Sequence, residues 1–381
     1  MPFQDRIAVL YQCIAPPLLD GVRKPMKPGG YRDSGADIAC ILREAGVPIV
    51  TPVARPDPTR DLDWVFPDTE DGIARALAAG ATALWANTIL FHGHPLEALR
   101  DRDLRIIGQQ PAAVHEFDDK WHTNRRLAAQ GLPVTPALLL SLAGLETLSP
   151  GTLAAHGLAL PCVIKPVRGR GSEGVAKVDT LDDLRAGAAA LLGATVVVDG
   201  VSGPRYGTSC MVEPFLPGQE ITVTVMPPGT YRIDGGGQTL ESCWCLPPVA
   251  RFNHQDGIAP YNGIVAVMHN SRLLSPAEQT EPRYREVLAC CARAGTLVGA
   301  RAPIRVDFRA DRDGRFVLFD LNMKPNMTGA GRVGREDQDS LTAIAARAIG
   351  WSYLDLLLAM AAQAWPSSSV VPAASPADPA P

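Results

Sequence analysis

The chain has 381 residues, 46% hydrophobic and 20% charged, an ordinary composition for a folded globular protein of two or three domains. Its net charge of −4 offers no basic excess for nucleic acid or an anionic membrane, and no apolar run is long enough to span a bilayer. Eight cysteines without a C-x-x-C pair, behind an N-terminus "MPFQDRIAVLYQC" that lacks a long apolar signal core, argue for reduced thiols in a cytoplasmic protein.

In chain order, "RIAVLY" reads as a buried strand, followed by the Pro/Gly-rich loop "APPLLDGVRKPMKPGGYRDSG". "ADIACILREAG" sets Ile38, Ile41 and Leu42 at helical spacing and stops at Gly46. "VPIVTP", "DGIARALAAG" and "TALWANTIL" continue as strand, helix and strand, so residues 1–117 are expected to form a parallel α/β domain. "FDDKWHTNRRLAAQGLPVTPALLL" is a capped helix that leads into an extended segment. The chain continues with "LPCVIKPVRGRGSEGVAKV", a hairpin with a Gly-rich connection. "CMVEPFLPGQEITVTVM" reads as a strand pair around a Pro-Gly break. From there to about residue 322 the chain is mainly strands, with a helix near 278–298, and it ends in an amphipathic helical region, "SLTAIAARAIGWSYLDLLLAMAAQA". The tail 366–381, "PSSSVVPAASPADPAP", has nothing to bury and is expected to be disordered.

Two segments carry chemistry. In "APIRVDFRADRDGRFVLFDLN" the Asp313-Gly314 pair predicts a two-residue hairpin turn. Arg312 then pairs with Arg315, Asp307 lies opposite Asp320, and Arg305 lies opposite Asn322. The other face would put Ile304, Val306 and Phe308 against Met323, Leu321 and Phe319 as core. Like charges directly opposite destabilise a sheet, so two carboxylates and an amide oxygen on one face call for a cation, and oxygen ligands suit Mg²⁺. A solvent-facing sheet with ordinary charges is the alternative. Lys165 ends an apolar strand before "VRGRGSEGV", whose glycines would let backbone N–H groups approach phosphate oxygens. The pattern is not a Walker loop, and a plain Gly-rich turn is the competing reading. The histidines of "HGH", His92 and His94, lack a third ligand at metal spacing. On their own they read as inert loop histidines.

Lys120 in "DDK", Lys165 in "VIKP", "RGRGSEGV", "MVEPFLPGQE" and "RVDF…FDLNMKPNMT" occur in an order and spacing that resembles the ATP-grasp enzymes, most of all the D-alanine–D-alanine ligase branch. The resemblance covers residues from about 115 to 345. It implies an ATP-grasp fold, of class α/β (α+β), behind an N-terminal pre-ATP-grasp domain. It assigns 118–212 to the lid subdomain and 213–365 to the subdomain with the metal site. It also implies an ATP-dependent ligase forming C–N bonds. A carboxylate would attack the γ-phosphate to give an acyl phosphate, and an amine would displace phosphate to leave an amide. By position, Lys120 and Lys165 would hold the α- and β-phosphates, Gly171 and Ser172 belong to the lid, and Glu213 lies at the adenine hinge. Phe215 and Leu216 also fall in the ATP site, and Glu220 at the ribose. Asp307, Asp320 and Asn322 would hold two Mg²⁺ ions, with Mn²⁺ as a substitute. Arg305 would stabilise the tetrahedral intermediate beside a backbone N–H near Asn326, with Lys324 in the same catalytic segment. His92, Glu97, Arg251, Tyr261 and Arg332 would touch the organic substrates.

The sequence departs from that branch at both substrate pockets. "PGGYRDSG" lacks the family's ammonium-binding glutamate, with Asp33 as the nearest acid, and "FNHQDGIAPYNGIVAV" lacks the lysine of the family's loop. Lys324 and Asn326 stand where small residues are usual, and Arg332 and Arg335 add cations where a second substrate's carboxylate would lie. The expected partners are small-molecule carboxylates and amines, with no nucleic acid and no membrane, and a homodimer is compatible with the resemblance. A carboxylase or carboxyphosphate-forming enzyme is the alternative within the fold, although no biotinyl-lysine motif is present. A nucleotide-binding regulatory protein without turnover is the alternative outside catalysis.

Overall fold

The alternation of apolar strands and amphipathic helices builds the first layer as expected. In the computed structural model, which describes residues 4–19, 21–198, 201–233, 235–259 and 267–371, the first sheet gathers β1 (Ile7–Tyr11), β2 (Ile49–Val50), β3 (Phe66–Pro67), β4 (Ala83–Asn87) and β5 (Arg105–Ile107). β1 pairs in parallel with β2, β3 and β4, and β4 in parallel with β5. Helix α1 (Arg32–Glu44) buries Ile38 and Leu42, and the chain leaves it through Gly46 at φ 82°. Helix α2 (Glu70–Ala78) is capped by Thr69, whose side chain accepts from the Gly72 N–H. α3 (Pro111–Phe117) and α4 (Lys120–Ala129) carry the chain out of this layer, α4 capped by Asp119.

The second sheet is antiparallel: β6 (Leu138–Ser141), β7 (Cys162–Pro166), β8 (Ala176–Val178) and β9 (Ser209–Pro214), in the order β8-β7-β9-β6. Helix α5 (Leu181–Gly193), opened by a Thr180/Asp183 capping box, lays Leu184, Ala188 and Leu191 onto Ile164, Val178 and Val212 of that sheet. The Pro-Gly break does not join a strand pair. β9 and β10 (Glu220–Met226) belong to different sheets, and "PFLPGQ" carries the chain between them. A Cβ at Gly218 would stand 2.8 Å from the Ala310 carbonyl oxygen, which the Gly218 N–H bonds at 3.0 Å. The break is therefore a crossing point between layers.

The third sheet runs β13 (Ser271–Leu273), β12 (Val249–Arg251), β10, β14 (Ile304–Ala310), β15 (Phe316–Asn322), with β11 (Trp244–Cys245) also on β10. Helix α6 (Pro282–Leu297) covers its apolar face. The β14/β15 hairpin corrects the expected turn. Asp311 N–H bonds the Arg315 carbonyl at 2.8 Å and Ala310 faces Phe316, so the loop holds three residues with Gly314 at φ 79°. That shifts the register by one, and a bulge at Phe319 shifts it back, so Asp307 does face Asp320 and Arg305 does face Asn322. The core partner of Phe308 is consequently Leu318, fully buried, while Phe319 turns towards the cavity wall.

Two helices, α7 (Leu341–Arg347) and α8 (Tyr353–Ala362), return the chain to the first sheet, where β16 (Trp365–Pro366) adds antiparallel to β5. The expectation of disorder from residue 366 fails for 366–371. Ser367 N–H bonds the Leu104 carbonyl at 2.8 Å, Gln110 Nε2 bonds the Ser369 carbonyl at 2.7 Å, and Val370 is buried beside Ile106 and Trp365. Trp365 and Val370 supply the apolar surface that composition counting overlooks. Among the described residues no helix is long and apolar enough to cross a membrane.

Candidate active site

The second and third sheets face each other across a cavity of about 340 Å³, closed at one end by the first domain's residues Lys24, Lys27 and Tyr31. From the third sheet, Asp307 and Asp320 present opposed carboxylates and Asn322 an amide on the same face. From the other side come Lys165, at the end of β7, and Lys120, the first residue of α4. Glu213, Phe215, Leu216 and Glu220 lie where the two sheets meet. Gly171 and Ser172 form the opposite wall, and Arg305, Lys324 and Asn326 complete the lining.

Ion pairs connect the walls. Lys120 Nζ stands 2.7 Å from Asp320 and Lys165 Nζ 2.7 Å from Glu213, whose other oxygen accepts from Asn124 at 3.2 Å. Lys165 also donates to the Phe319 carbonyl at 2.9 Å, so the bulge that corrects the hairpin register delivers an acceptor to the facing sheet. Arg305 spans both oxygens of Asp307, with Nε at 3.0 Å from Oδ1, and Thr222 on β10 donates to the same carboxylate at 2.5 Å. Burial raises the Asp307 carboxyl above its ordinary range, against the opposing pull of Arg305. Burial also pushes Asp320 up, but Lys120 and Lys165 outweigh it and hold that carboxyl low. Lys324 is pushed down to about 7 by burial, and then by Lys27.

The donor set fits a hard divalent cation. Two carboxylates held opposite one another draw in the positive charge available, here Lys120 and Arg305. Asn322 Oδ1 accepts from the Lys324 N–H at 2.9 Å and keeps a second lone pair. The third donor being an amide, no cluster of three His, Cys, Asp or Glu side chains suited to a metal exists among the described residues.

The Gly-rich loop crosses the cavity with Gly171 at φ 59°, Ser172 at φ 57° and Gly174 at φ 72°. Ser172 Oγ donates to the Ala259 carbonyl at 3.1 Å, so the loop rests on the rim of the other sheet. Phe215 lies between Lys177 and Arg309, each 5.1 Å from its ring centroid. Glu220 is met by His254 at 2.9 Å.

The substrate expectations fare differently. Arg332 is buried away from the cavity, with Nε 2.8 Å from Asp37 and Nη2 2.8 Å from Asp61, so its charge is spent on holding the chain to the first domain. His92 and Glu97 face each other at 3.6 Å outside the lining, and the His92 ring lies against His115 with their planes tilted by 49°. Arg251 is buried opposite Glu220 on the neighbouring strand and donates to Ser271 Oγ at 2.7 Å, also off the cavity. Tyr261 lies outside the described residues. Sequence reasoning missed Lys27, Tyr31, Asn87, Arg170 and Thr222. Asn87 had a signal: it is the polar residue at the carboxyl end of a parallel strand, where open α/β sheets bind ligands. Tyr31 and Lys27 come from a loop whose path only the packed molecule defines.

Comparison with known proteins agrees with this geometry. The sequence model described as "D-ala D-ala ligase C-terminus" matches residues 127–361, more than half of the chain. The D-alanine–D-alanine ligases of Bordetella pertussis and Bordetella bronchiseptica are each 29% identical over 306 residues, 79% of this chain and 84% of theirs. The crystal structure of D-alanine–D-alanine ligase from Bacillus anthracis is similar in fold, with a TM-score of 0.60 at 18% identity, covering 94% of this chain and 96% of that one. The same enzyme complexed with ATP gives 0.56 at 18% identity, with 93% and 95% covered. The chain therefore belongs to the D-alanine–D-alanine ligase family, ATP-dependent ligases of the ATP-grasp fold that form C–N bonds.

Proposed function

We propose that the protein joins a carboxylate to an amine, both amino acids or amino-acid-like compounds, using ATP and Mg²⁺ and passing through an acyl phosphate. The observation that carries this reading is the opposition of Asp307 and Asp320, beside Asn322, to Lys120 and Lys165 across a cavity roofed by a glycine loop. Lys120 and Lys165 neutralise phosphate oxygens, and the loop 168–175 closes over the triphosphate. Asp307, Asp320 and Asn322 would hold magnesium, or manganese in its place, which would supply positive charge against the phosphates during phosphoryl transfer. A carboxylate oxygen of the donor attacks the γ-phosphorus and ADP leaves. The amine nitrogen of the acceptor then adds to the acyl carbon, and phosphate departs as the amine loses its proton. Arg305, at the edge of the same face, stabilises the oxyanion of that tetrahedral species with a backbone N–H near Asn326. In a dry cavity such positioning and charge stabilisation supply most of the rate. No nucleophilic serine or cysteine is needed.

The relatives are named for D-alanine, but Lys324 and Asn326 fill the segment beside the oxyanion site, which favours a different substrate pair here. The reading places the protein in the cytoplasm, where ATP is abundant and its eight unpaired cysteines stay reduced. Sedimentation would decide between monomer and the homodimer that the resemblance allows.

Incubating the full chain with Mg-ATP and paired panels of amino-acid-like donors and acceptors should release ADP and phosphate in step with an amide detected by mass spectrometry. ADP release that requires bicarbonate would replace this reading with a carboxyphosphate chemistry. Nucleotide binding without ADP release in any pair would make the protein a binding module.

A further inference from the structure

We infer that the donor carries a second anionic group, a carboxylate or a phosphate, received by Lys27, Arg170 and Lys324 around the ring of Tyr31; the term donor rests on the ligase reading above. Three basic side chains converge on that ring at the first-domain end of the cavity. Lys324 Nζ lies 4.1 Å from its centroid, Lys27 Nζ 5.0 Å and Arg170 Cζ 5.9 Å. All four residues line the cavity. Cations sharing one site repel each other unless an anion joins them. Lys27 has one in Asp33, both of whose oxygens lie 3.0 Å away. Among the described residues neither Arg170 nor Lys324 forms an ion pair, and Lys324 Nζ reaches only neutral oxygens, of Asn87 at 2.9 Å and Pro325 at 3.3 Å.

The site is built rather than incidental. Tyr31 holds φ 64°, a region that an aromatic residue rarely adopts, and it follows Gly29 at φ 76° and Gly30 at φ 58°. A Cβ at Gly30 would fall 1.9 Å from the Gln12 carbonyl oxygen, so the loop can take this path only through glycine. The Asn87 side chain then fixes ring and ammonium together: its Nδ2 donates to the Tyr31 carbonyl at 2.9 Å while its Oδ1 accepts from Lys324.

The same arrangement argues against an ammonium in this place. Asp33, the acid nearest to the family's ammonium-binding position, is occupied by Lys27 and faces Arg335 at 3.7 Å. A ligand entering here meets positive charge and an aromatic face, and a planar carboxylate or a phosphate suits the guanidinium of Arg170. Arg170 sits on the glycine loop, so loop closure and recognition of this anion would be one event.

Two independent measurements test the proposal. Calorimetric titration of the full chain loaded with Mg-ADP should show glutarate, succinate or phosphonoacetate binding at least about tenfold more tightly than butyrate or alanine, the scale of one charge-assisted hydrogen bond. Lys27→Met should bring the dianions down to the butyrate level and leave ADP affinity within about twofold, and Arg170→Gln should separately bring them down as well, each variant being checked for an unchanged melting curve. Equal binding of mono- and dianions overturns the inference. So does a loss of ADP affinity without loss of dianion preference, which would give these cations to the nucleotide. Comparing carboxylates with phosphonoacetate decides which anion the site prefers. Dianion binding without any amide product would sink the ligase reading and leave the anion site standing. Turnover with butyrate-like donors as fast as with dianions would do the reverse.

Discussion

Lys165 is a single side chain that ties two sheets together. It begins on β7, pairs with Glu213 on β9 and donates to the Phe319 carbonyl on β15 of the facing sheet. Lys165→Met leaves the Glu213 carboxylate buried without its cation, and breaking a buried pair by removing one partner costs about 3–5 kcal/mol. Thermal unfolding should therefore show a clear drop, partly restored by adding Glu213→Gln, which removes the stranded charge. Asp320→Asn also removes one partner of an ion pair, with Lys120, and costs some stability, but the amide keeps the side chain's shape and the hairpin stays folded. Mg²⁺-dependent ADP formation should fall by at least about a hundredfold, the scale for losing one electrostatic stabiliser. Near-native turnover in that variant would remove Asp320 from the metal site.

Elements show how local chemistry reaches the cavity. The glycine loop 168–175 holds two consecutive left-handed residues, Gly171 and Ser172, and touches the other sheet through the Ser172–Ala259 bond. Hydrogen exchange in the loop should slow when Mg-ATP is added, and Ser172→Ala should reduce that protection. If protection appears elsewhere only, the loop is a hairpin connection and no lid. A second element, the short turn after β13, has a pH signature. Glu278 is held at about 2 by the Arg272 guanidinium and the Ser275 N–H, from an ordinary value of 4.5. Its folded value is depressed, so its stabilisation is complete above the ordinary value and disappears as pH falls from there towards about 2. Glu278→Gln should thus lower the melting temperature at neutral pH, and the gap to the parent protein should narrow by pH 3.

The whole molecule is clamped by charges that the sequence offers as substrate ligands. Asp37 on α1 is fully buried and receives Arg332 at 2.8 Å and Arg335 at 2.9 Å, while Arg332 reaches on to Asp61 and to the Pro58 carbonyl at 3.0 Å. Gly331 passes so close that a Cβ there would stand 2.5 Å from the Asp37 carbonyl oxygen. This fastens the segment following β15 to α1, and with it Lys324 and Asn326. Arg332→Ala should destabilise the protein by up to about 3–5 kcal/mol, less whatever Arg335 retains, because it strands a buried carboxylate. Denaturant titration should show that loss, and KM should change for both organic substrates and ATP together. A rise confined to one organic substrate, with stability unchanged, would return Arg332 to the pocket.

What the amino-acid sequence determined by itself is whatever local pattern encodes: the alternating strands and helices of the first domain, the caps at Thr69, Asp119 and Thr180, and the acidic hairpin face. The facing of Asp307 and Asp320 was legible although the turn was misread, because the longer turn and the bulge at Phe319 shift the register in opposite directions. A bulge has no residue code of its own; it forms where the strand must bend and present a carbonyl to Lys165. Lys120, Lys165 and the glycine loop, which line the cavity, were legible through their motifs. The end of the cavity beside Tyr31 was less so, since the loop of Lys27 and Tyr31, Asn87, Arg170 and Lys324 come from four separate segments brought together by packing. Arg332 shows why. A guanidinium on a loop has the same letters whether it meets a ligand or Asp37, and only the fold, by burying Asp37 opposite it, decides which.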